Sequence, residues 1–380
     1  GGYQPGLITQ TTFFNSQGTA SITGYGSNLT NFANLSVSPA DTLSLTSNTT
    51  LRVSGDMSIL SGVLDDGGND IYLNGDLTNE SEHYSPDAVG GISFSGSRPQ
   101  GISISLGGEL GNIIINNTTG VNITDNCTIN GILTFSQGLL YIDDYLLTMG
   151  INSSVEGTAD NTKMIVLNGV ISDSGVSKIF PGGVSFFTFP VGVAGKYTPV
   201  SLGFTSNLNT GGSITVVPVN RYHPVMALPE GDELNYYWSI SSEGLSQPFT
   251  ANHHYNYVAE DVTGDETDYY AGRFFNSEWI PEGGTNGTTI DPVSHSITFT
   301  GCNYIDGEYT AGYSPNFTNK FTLYSIKSGD WFNDNTWSVT EGGVPCGFDP
   351  DGHPVIIGAG HTVTINNNSA SAYSVTINGT

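Results

Sequence analysis

Positively charged residues are nearly missing from this sequence. It has 9 Lys and Arg against 35 Asp and Glu in 380 residues, a formal net charge of −26 at pH 7. A polyanionic surface repels the phosphates of nucleic acids and anionic lipids. The composition therefore argues against nucleic acid as a partner. It equally disfavours an anionic polysaccharide as a substrate.

Cysteines and long apolar runs are also scarce. Cys127, Cys302 and Cys346 form neither a disulfide framework nor a metal-finger spacing. We expect structural thiols, with a single Cys302–Cys346 bridge as the alternative. No apolar run reaches the ~18 residues of a membrane span, so we expect no membrane insertion in this segment. The start "GGYQPGLITQ" does not resemble a signal peptide, and "SVTINGT" stops inside a strand pattern. We expect a piece of a longer protein.

Glycine and aromatic residues are abundant instead, with 50 Gly, 19 Tyr and 18 Phe, and only 12% of the residues are charged. The residues that favour long helices are scarce, which indicates an all-β protein. Short period-2 runs such as "NLSV", "LRV", "IIIN" and "LTF" are separated by Gly, Asn, Asp and Ser. Such runs predict many short strands.

A diverged internal repeat covers the first part of the chain. Residues 12–64 match residues 93–140 at offsets of 76 to 81, with Phe13 on Phe94 and Gly55 on Gly131. We interpret residues 10–180 as stacked coils of ~20 residues, each burying its inward Ile, Val and Leu against neighbouring coils. A string of small β-sandwiches would bury the same alternating residues and stays the alternative. Asn at the turns suits coils, because its amides can stack between them.

The fold predicted for the whole chain has three parts. Residues 1–200 are expected to form a parallel β-solenoid, and residues 201–320, with six longer strand candidates, an Ig-like β-sandwich. Residues 321–380 are expected to begin a second solenoid module, because "HTVTI" and "SVTING" resemble earlier coil segments. Tyr237 and Trp238 are neighbours in a strand candidate, so we expect Trp238 inside and Tyr237 outside.

Three stretches resemble a known family of proteins. They are "SGDWFNDNTWS…VP…VIIGAGHTVTI", "ITGYGSNLTNFANLSV" and "FTFPVGVAGKYTPVSL". They are similar to modules of very large secreted and surface proteins of Bacteroidota, often cargo of the type IX secretion system and adhesin-like. The resemblance implies an extracellular or cell-surface location, with association to the outer membrane through regions outside this segment. Its motifs imply architecture rather than an activity.

Acidic residues raise two site hypotheses. Asp261, Asp265, Glu266 and Asp268 lie close together in "AEDVTGDETDYY". Crowded oxygen ligands on a sandwich loop could bind calcium, although the spacing does not match an EF-hand. Paired carboxylates could also serve glycoside hydrolysis, with candidates in "DDGGND" (65–70), "YIDDY" and "FDPDGH". We expect most of these to be turn aspartates that accept backbone N–H bonds.

Aromatic residues raise two more hypotheses, one about a binding site and one about a structural cap. Tyr255, Tyr257 and Tyr269 could stack on a glycan from outward strand positions, whereas core packing is the alternative. The adjacent histidines of "NHHY" point to opposite faces and cannot chelate one ion together. Trp331 and Trp337 stand six residues apart ahead of the second solenoid. We expect them to cap its uncovered first coil and to be more than half buried.

Three functions from different classes follow. The leading expectation is a non-catalytic structural segment, a rigid spacer or array in a large surface protein, with extracellular glycans or other copies as partners. A carbohydrate-binding module is the first alternative, and a polysaccharide-degrading β-helix enzyme is the second. The coil register also predicts that Ile115→Asp destabilises the fold, whereas the same change at Asn117, expected to be exposed, is nearly neutral.

Overall fold

The computed structural model describes residues 10–24, 30–208, 210–226, 233–281, 288–317, 322–333, 335–338, 340–346, 350, 352–366 and 370–378. Within these residues the chain forms β-strands and three short 3₁₀ helices, and no α-helix. No helix in this part of the chain is long and apolar enough to cross a membrane. The protein is all-β, as the composition predicts.

Twenty-five strands, mostly of three to five residues, form the first part of the chain. They are β1 (Thr11–Phe14), β2 (Ala20–Ile22), β3 (Thr30–Phe32), β4 (Asn34–Val37), β5 (Thr42–Leu45), β6 (Leu51–Val53), β7 (Met57–Ile59), β8 (Val63–Asp65), β9 (Asp70–Leu73), β10 (Leu77–Asn79), β11 (Glu82–Tyr84), β12 (Gly91–Phe94), β13 (Gln100–Ile104), β14 (Glu109–Leu110), β15 (Ile113–Asn116), β16 (Val121–Ile123), β17 (Cys127–Ile129), β18 (Ile132–Gln137), β19 (Leu140–Asp143), β20 (Leu147–Met149), β21 (Ser154–Glu156), β22 (Ile165–Leu167), β23 (Val176–Phe180), β24 (Gly183–Phe189) and β25 (Val191–Val193).

Sixteen further strands and the 3₁₀ helices follow. The strands are β26 (Lys196–Tyr197), β27 (Val200–Leu208), β28 (Gly212–Val219), β29 (Tyr237–Glu243), β30 (Ala251–Asn256), β31 (Tyr270–Phe275), β32 (Glu278–Pro281), β33 (Thr289–Asp291), β34 (Ser296–Cys302), β35 (Gly307–Gly312), β36 (Leu323–Ser325), β37 (Gly329–Asp330), β38 (Trp337–Ser338), β39 (Pro354–Ile357), β40 (Val363–Thr364) and β41 (Ser374–Ile377). The 3₁₀ helices are Ala259–Asp261, Glu266–Asp268 and Ser314–Phe317.

Apart from β24, the first part is a parallel β-solenoid with three sheets. One sheet runs β1-β4-β7-β10-β13-β16-β19-β22-β25, the second β2-β5-β8-β11-β14-β17-β20-β23, and the third β3-β6-β9-β12-β15-β18-β21. Each coil thus gives one strand to each sheet. Register partners in successive coils lie 19 residues apart at Val121 and Leu140 and 26 apart at Ile165 and Val191. The predicted solenoid of roughly 20-residue coils is confirmed.

Apolar side chains stack in columns inside the coils. Leu51, Ile71, Ile92, Ile113 and Leu133 follow one another in register across five strands of the third sheet, and all are fully buried. Each shields the next from water, so the hydrophobic gain grows with every added coil. Isolated coils lack this cover, which is why short strands of three residues are stable only in a stack.

The internal repeat is not a repeat of whole coils. Phe13 lies in β1 and is exposed, whereas its match Phe94 lies in β12, in another sheet, and is buried. Because register partners in successive coils lie 19 to 29 residues apart, an offset of 76 to 81 moves a strand to a different sheet. The matches arise because strands of all three sheets share the same short alternating pattern. The repeat therefore predicts correctly where strands occur. It predicts wrongly that matched strands occupy the same position in a coil.

Turn side chains link successive coils at one corner of the solenoid. The Asp56 N–H donates to Asn34 Oδ1 at 2.8 Å, the Asp76 N–H to Asp56 Oδ1 at 2.9 Å, and the Gly101 N–H to Asp76 Oδ1 at 2.7 Å. Each residue therefore accepts from the coil that follows it. Backbone donors that turn away from the sheets are satisfied in this way.

Asn117 corrects a sequence expectation. It is 1% exposed rather than exposed, and its Nδ2 donates to Arg98 O at 2.7 Å and to Gln100 Oε1 at 2.9 Å. The backbone carbonyl oxygen of Asn117 lies 1.8 Å from the position that a Cβ on Gly138 would occupy, and Gly138 has φ +90°. Only glycine fits a turn that passes so close to a neighbouring coil with that backbone conformation. The residue lies at a coil corner, where the alternation of the strand no longer tells inside from outside.

The chain divides into two compact units. One comprises residues 1–220, 238–258 and 294–306, and the other 221–237, 259–293 and 307–380. The range predicted as one sandwich, 201–320, contributes strands to both, and its predicted boundaries stay a prediction.

In the first unit the solenoid continues into antiparallel sheets. Strand β28 pairs antiparallel with β23, and β24, β27, β30 and β34 form a separate antiparallel sheet. Its inner face is aromatic, with Trp238 of β29 packed 5.2 Å from the Tyr255 ring. The Trp238 Nε1–H donates to Thr198 O at 3.0 Å. Trp238 is buried as predicted, whereas Tyr237, expected outside, is buried too.

In the second unit, strands β32, β31 and β35 form an antiparallel sheet, and parallel pairing then begins again. Leu323 of β36 pairs with Val355 of β39, which pairs with Val375 of β41. Strand β37 pairs in parallel with β40. Parallel ladders of this kind are what the sequence predicts for the start of another solenoid.

Candidate functional site

A groove of about 710 Å³ lies on the outward face of the sheet β24-β27-β30-β34. Strand alternation produces it, because Phe187, Phe189, Leu202 and Phe204 point inward and are buried. The intervening residues therefore face outward. The groove is lined by Val184, Ser185, Phe186, Ser201, Gly203, Phe204, Thr205, Asn252, His253, His254, Thr298 and Thr300.

One row of this face is polar. Thr188, Ser201, His254 and Thr298 are cross-strand neighbours on four adjacent strands. The hydroxyls of Thr188 and Ser201 are 2.8 Å apart, and His254 Nδ1 lies 2.8 Å from the Thr298 hydroxyl. The hydrogen bond at Nδ1 orients the imidazole, so Nε2 is its remaining polar atom. Hydroxyl and imidazole groups are thus held side by side across the sheet.

The next row is aromatic and amide. Phe186 faces Gly203, and Gly203 faces Asn252. A Cβ on Gly203 would lie 3.0 Å from the Phe186 ring, so the ring lies over the glycine. Phe186 is nevertheless 69% exposed, and its neighbour on the same face, Val184, is 68% exposed. The Asn252 carboxamide is fixed because its Oδ1 accepts from the Gly301 N–H at 3.0 Å.

Among the residues that the structure describes, no Asp, Glu, Lys or Arg lines the groove, although the chain carries a net charge of −26. The groove therefore combines an exposed ring, fixed hydroxyl and amide groups and no formal charge. Such a surface suits a neutral ligand with both apolar faces and hydroxyl groups.

Sequence reasoning missed this face. The signal was present in "VSFFTF", because a strand with Phe at both 186 and 187 has an aromatic residue on each side. One of the two must lie away from the core. The adjacent histidines do point to opposite faces as predicted, with His253 buried and His254 on the outward row.

The tyrosines predicted to bind a glycan are elsewhere. Tyr255, Tyr257 and Tyr269 are all buried. The Tyr269 hydroxyl donates to Thr263 O at 2.5 Å, and burial raises the pKa of Tyr269 to about 12. Covered rings cannot stack on a sugar, so the glycan role assigned to these three residues is wrong. Tyr255 is covered by Trp238, whose ring centroid lies 5.2 Å away, and Tyr269 packs against Tyr313 with centroids 6.2 Å apart.

The predicted calcium ligands are spread over two 3₁₀ helices. Asp261 ends the first and is buried, whereas Asp265 caps the second. The hydroxyl and backbone N–H of Thr267 donate to Asp265 Oδ1 at 2.7 and 3.0 Å and lower its pKa. Across the described ranges, no group of three or more His, Cys, Asp and Glu is arranged to hold a metal. Nothing in this geometry supports calcium at Asp261, Asp265, Glu266 and Asp268.

The carboxylates considered for hydrolysis act in turns. Asp65 Oδ1 accepts from the Gly67 N–H at 2.9 Å, and Asp66 Oδ1 from the Gly68 N–H at 2.8 Å, as predicted. Asp143, the last residue of β19, and Asp144, in the turn that follows, are both exposed. Of the remaining candidates, 349 and 351 lie outside the described residues.

Asp66 belongs to a buried polar cluster that resembles a catalytic triad only in composition. Asp66 Oδ2 lies 3.2 Å from His83 Nε2 and accepts from the Ser85 hydroxyl at 2.5 Å. A hydrolase triad places the histidine between the serine and the acid, whereas here the acid is central. His83 Nδ1 accepts from the Gly111 N–H at 3.2 Å, so the cluster satisfies buried groups between coils.

Trp331 and Trp337 are both buried, which confirms the expected burial. Their ring centroids are 5.4 Å apart at an interplanar angle of 72°, and Trp337 Nε1–H donates to Trp331 O at 2.8 Å. They pack with Leu323, Val355 and Ile357. Trp337 lies in β38, which pairs antiparallel with β36 and so covers the outer edge of the first parallel strand. That is the position expected of a cap.

The three cysteines are present as thiols, with Cys127 and Cys302 buried. Burial raises the pKa of the Cys127 thiol to about 12. The expectation of structural thiols is therefore confirmed.

Searches for similarity to known proteins gave no match: no protein-family model, no curated protein and no solved structure matches this chain.

Proposed function

We propose that this chain is a structural segment of a large extracellular surface protein, in which the solenoid acts as a rigid spacer. One observation carries the proposal, the unbroken parallel ladder of nine strands from β1 to β25. Strands in a sheet lie ~4.8 Å apart, so the ladder spans about 38 Å. A stack of this kind sets a fixed distance between whatever is attached at its ends.

The links between coils support rigidity. Buried columns such as Leu51 to Leu133 fix neighbouring coils by packing, and the turn ladder through Asn34, Asp56 and Asp76 fixes their corners. A bend would have to open both at once. Because each coil contacts mainly its neighbours, resistance to bending is distributed along the whole stack.

The composition supports an extracellular location. The net charge of −26 and the low share of charged residues leave Asn, Ser, Thr and Gly to keep the surface soluble. The resemblance of three sequence stretches to surface proteins of Bacteroidota motivates the same location. In this proposal the segment positions binding modules away from a cell and interacts with extracellular glycans or further copies.

Spin-label distances test the rigidity. Phe13→Cys in β1 and Asn122→Cys in β16 lie on one sheet, five strand spacings apart, with Cys346→Ser added because Cys346 is only partly buried. We expect a single narrow distribution centred near 24 Å, widened only by the labels. The same pair in denaturant gives the width for a flexible chain. A native distribution as broad as that one would contradict a rigid spacer.

Location needs its own measurement. Antibodies raised against the purified chain should label intact cells that produce the protein, and external protease should remove the signal. Labelling that requires permeabilised cells would place the protein inside and overturn the extracellular part of the proposal.

A further inference from the structure

We propose that the outward groove of the sheet β24-β27-β30-β34 binds a short, neutral oligosaccharide, with Phe186 as its stacking platform. The site is distinct from the tyrosines considered above and does not depend on the spacer proposal. Its volume of about 710 Å³ falls within the ~300–1,000 Å³ typical of small-ligand sites.

Phe186 supplies the apolar contact. Its ring is 69% exposed and lies over Gly203, which has no side chain to lift it from the sheet. A sugar ring presents a face of C–H groups that can cover an aromatic ring and remove both from water. Val184, two residues away on the same strand and 68% exposed, extends this apolar strip.

The polar row beside the Phe186 ring orients the bound ligand through hydrogen bonds. Thr188, Ser201, His254 and Thr298 place hydroxyl and imidazole groups in line across four strands. Their mutual hydrogen bonds hold the side chains in place, so little conformational entropy is lost when a ligand binds. Hydroxyls both donate and accept, which matches the mixed donor and acceptor character of sugar hydroxyls.

Charge selects the class of ligand. The described lining contains no Asp, Glu, Lys or Arg, so none of these residues offers an ion pair to a uronic acid or a sulfated sugar. The net charge of −26 repels such anions at a distance. An apolar peptide would cover the hydroxyl row without using its remaining hydrogen-bonding positions, although those positions would lose contact with water. A neutral saccharide uses both rows.

Titration of the intact chain with neutral tetrasaccharides tests the proposal. The probes are the tetraoses of cellulose, mannan, xylan and chitin, with tetragalacturonate as the anionic comparison, followed by calorimetry and by saturation-transfer NMR. We expect at least one neutral probe to bind, tetragalacturonate to bind more weakly than that probe, and Phe186→Ala to reduce the affinity about tenfold. Phe186→Tyr should restore most of the loss, because the ring is kept.

Phe13 offers a matched control. It is an exposed phenylalanine on an outward strand position of the solenoid, far along the chain from the groove. Phe13→Ala should leave binding unchanged, whereas His254→Ala should weaken it. Unchanged melting temperatures show that the variants are folded.

Two results would overturn the proposal. One is binding by none of the four neutral probes, and the other is binding that Phe186→Ala leaves intact. If instead the native chain self-associates in sedimentation and Phe186→Ala abolishes this, the occupant of the groove is a second copy and the saccharide assignment is wrong.

Discussion

The side-chain amide of Asn117 joins two segments of the chain, and Gln100 extends the network to a third. Its Nδ2 donates to Arg98 O and Gln100 Oε1, and its Oδ1 accepts from the backbone N–H and the hydroxyl of Thr119 at 2.9 and 2.7 Å. Gln100 in turn donates to Leu73 O at 3.0 Å and to Gly75 O. The network ties turns of three coils together inside the protein.

A one-atom change at Asn117 should therefore be costly. In Asn117→Asp a carboxylate oxygen replaces the donor and faces two acceptor oxygens in a buried site. We expect a loss of about 2–4 kcal/mol in the free energy of unfolding, measured by chemical denaturation.

The adjacent residue is the control. Asn116 Oδ1 accepts from Gln137 Nε2 at 3.2 Å on the surface, and Asn116→Asp keeps this acceptor. Its effect should stay within about 0.5 kcal/mol. Ile115→Asp, between Phe94 and Phe135 in the core column, should cost several kcal/mol. Equal effects at 116 and 117 would contradict the corner geometry.

Lys178 is a buried amine held by carbonyl oxygens. Its Nζ donates to Gly150 O at 2.5 Å, Ser153 O at 2.7 Å and Ile151 O at 3.2 Å, and it lies 5.2 Å from the centre of the Phe187 ring. Burial lowers the pKa of Lys178 from 10.5 to about 8. The folded state thus releases this proton more readily than the unfolded chain does.

The direction of the resulting pH dependence follows from proton counting. Between pH 8 and 10.5 the unfolded chain keeps the Lys178 proton while the folded protein loses it, so the contribution of Lys178 to stability rises with pH. Cys127, with its raised pKa, acts in the opposite direction above pH 9. The informative quantity is therefore the difference between the wild type and Lys178→Met.

We expect that difference to grow by about 1–2 kcal/mol in favour of the wild type between about pH 7.5 and 9.5. Denaturation curves of both proteins across this range measure it. A difference that shrinks with rising pH would mean that the carbonyl contacts hold the charged form more strongly than burial disfavours it.

At the scale of elements, β38 and its residue Trp337 cover one edge of the parallel strands β36, β39 and β41. Trp337 and Trp331 pack on Leu323, Val355 and Ile357, and together they form the core of this region. Trp337→Ala should destabilise it by about 3–5 kcal/mol, because a large fully buried ring is lost. Hydrogen exchange of the segments 323–338 and 354–378 should speed up accordingly.

Tyr270 provides the comparison in the same unit. It is about half exposed, and Tyr270→Ala should leave exchange in the segment 354–378 nearly unchanged. If Trp337→Ala behaves like Tyr270→Ala, then β38 does not act as a cap.

Local alternation explains how much of the fold was predictable. Runs such as "LRV" and "MSI" predict which residues point inward, and turn residues predict where a strand ends. Strand positions and the spacing of the coils follow from these two signals. Parallel stacking does not follow from them alone, because small β-sandwiches would bury the same alternating residues. The assignment of a strand to one of three sheets does not follow either, because all sheets use the same pattern, and so Phe13 and Phe94 were wrongly equated.

Side-chain roles were harder to predict than strands. Whether Tyr255 faces solvent depends on a second layer that covers its sheet, and whether Asn117 is buried depends on the path of a neighbouring coil. Both are contacts between residues far apart in sequence, which short-range periodicity does not contain. Phe186 is the reverse case, since its outward position follows from the strand pattern alone.

For the whole molecule, the excess of acidic residues governs how copies meet. Each chain carries a net charge of −26, and the Debye length falls from about 30 Å at 0.01 M salt to about 3 Å at 1 M. Side-by-side association is therefore opposed at low ionic strength and permitted once the charge is screened. An array of copies, if it forms, should be strengthened by salt.

Static light scattering at increasing sodium chloride measures this directly. We expect a strongly positive second virial coefficient at about 0.01 M salt that falls steeply by about 0.5 M. A coefficient that does not change with salt would mean that surface charge does not control association.

Repeating the series with magnesium or calcium chloride at equal ionic strength separates screening from binding. Equal curves for the two cations indicate screening alone, whereas a calcium-specific drop, with a melting shift reversed by chelator, would support the ligands predicted at Asp261, Asp265, Glu266 and Asp268.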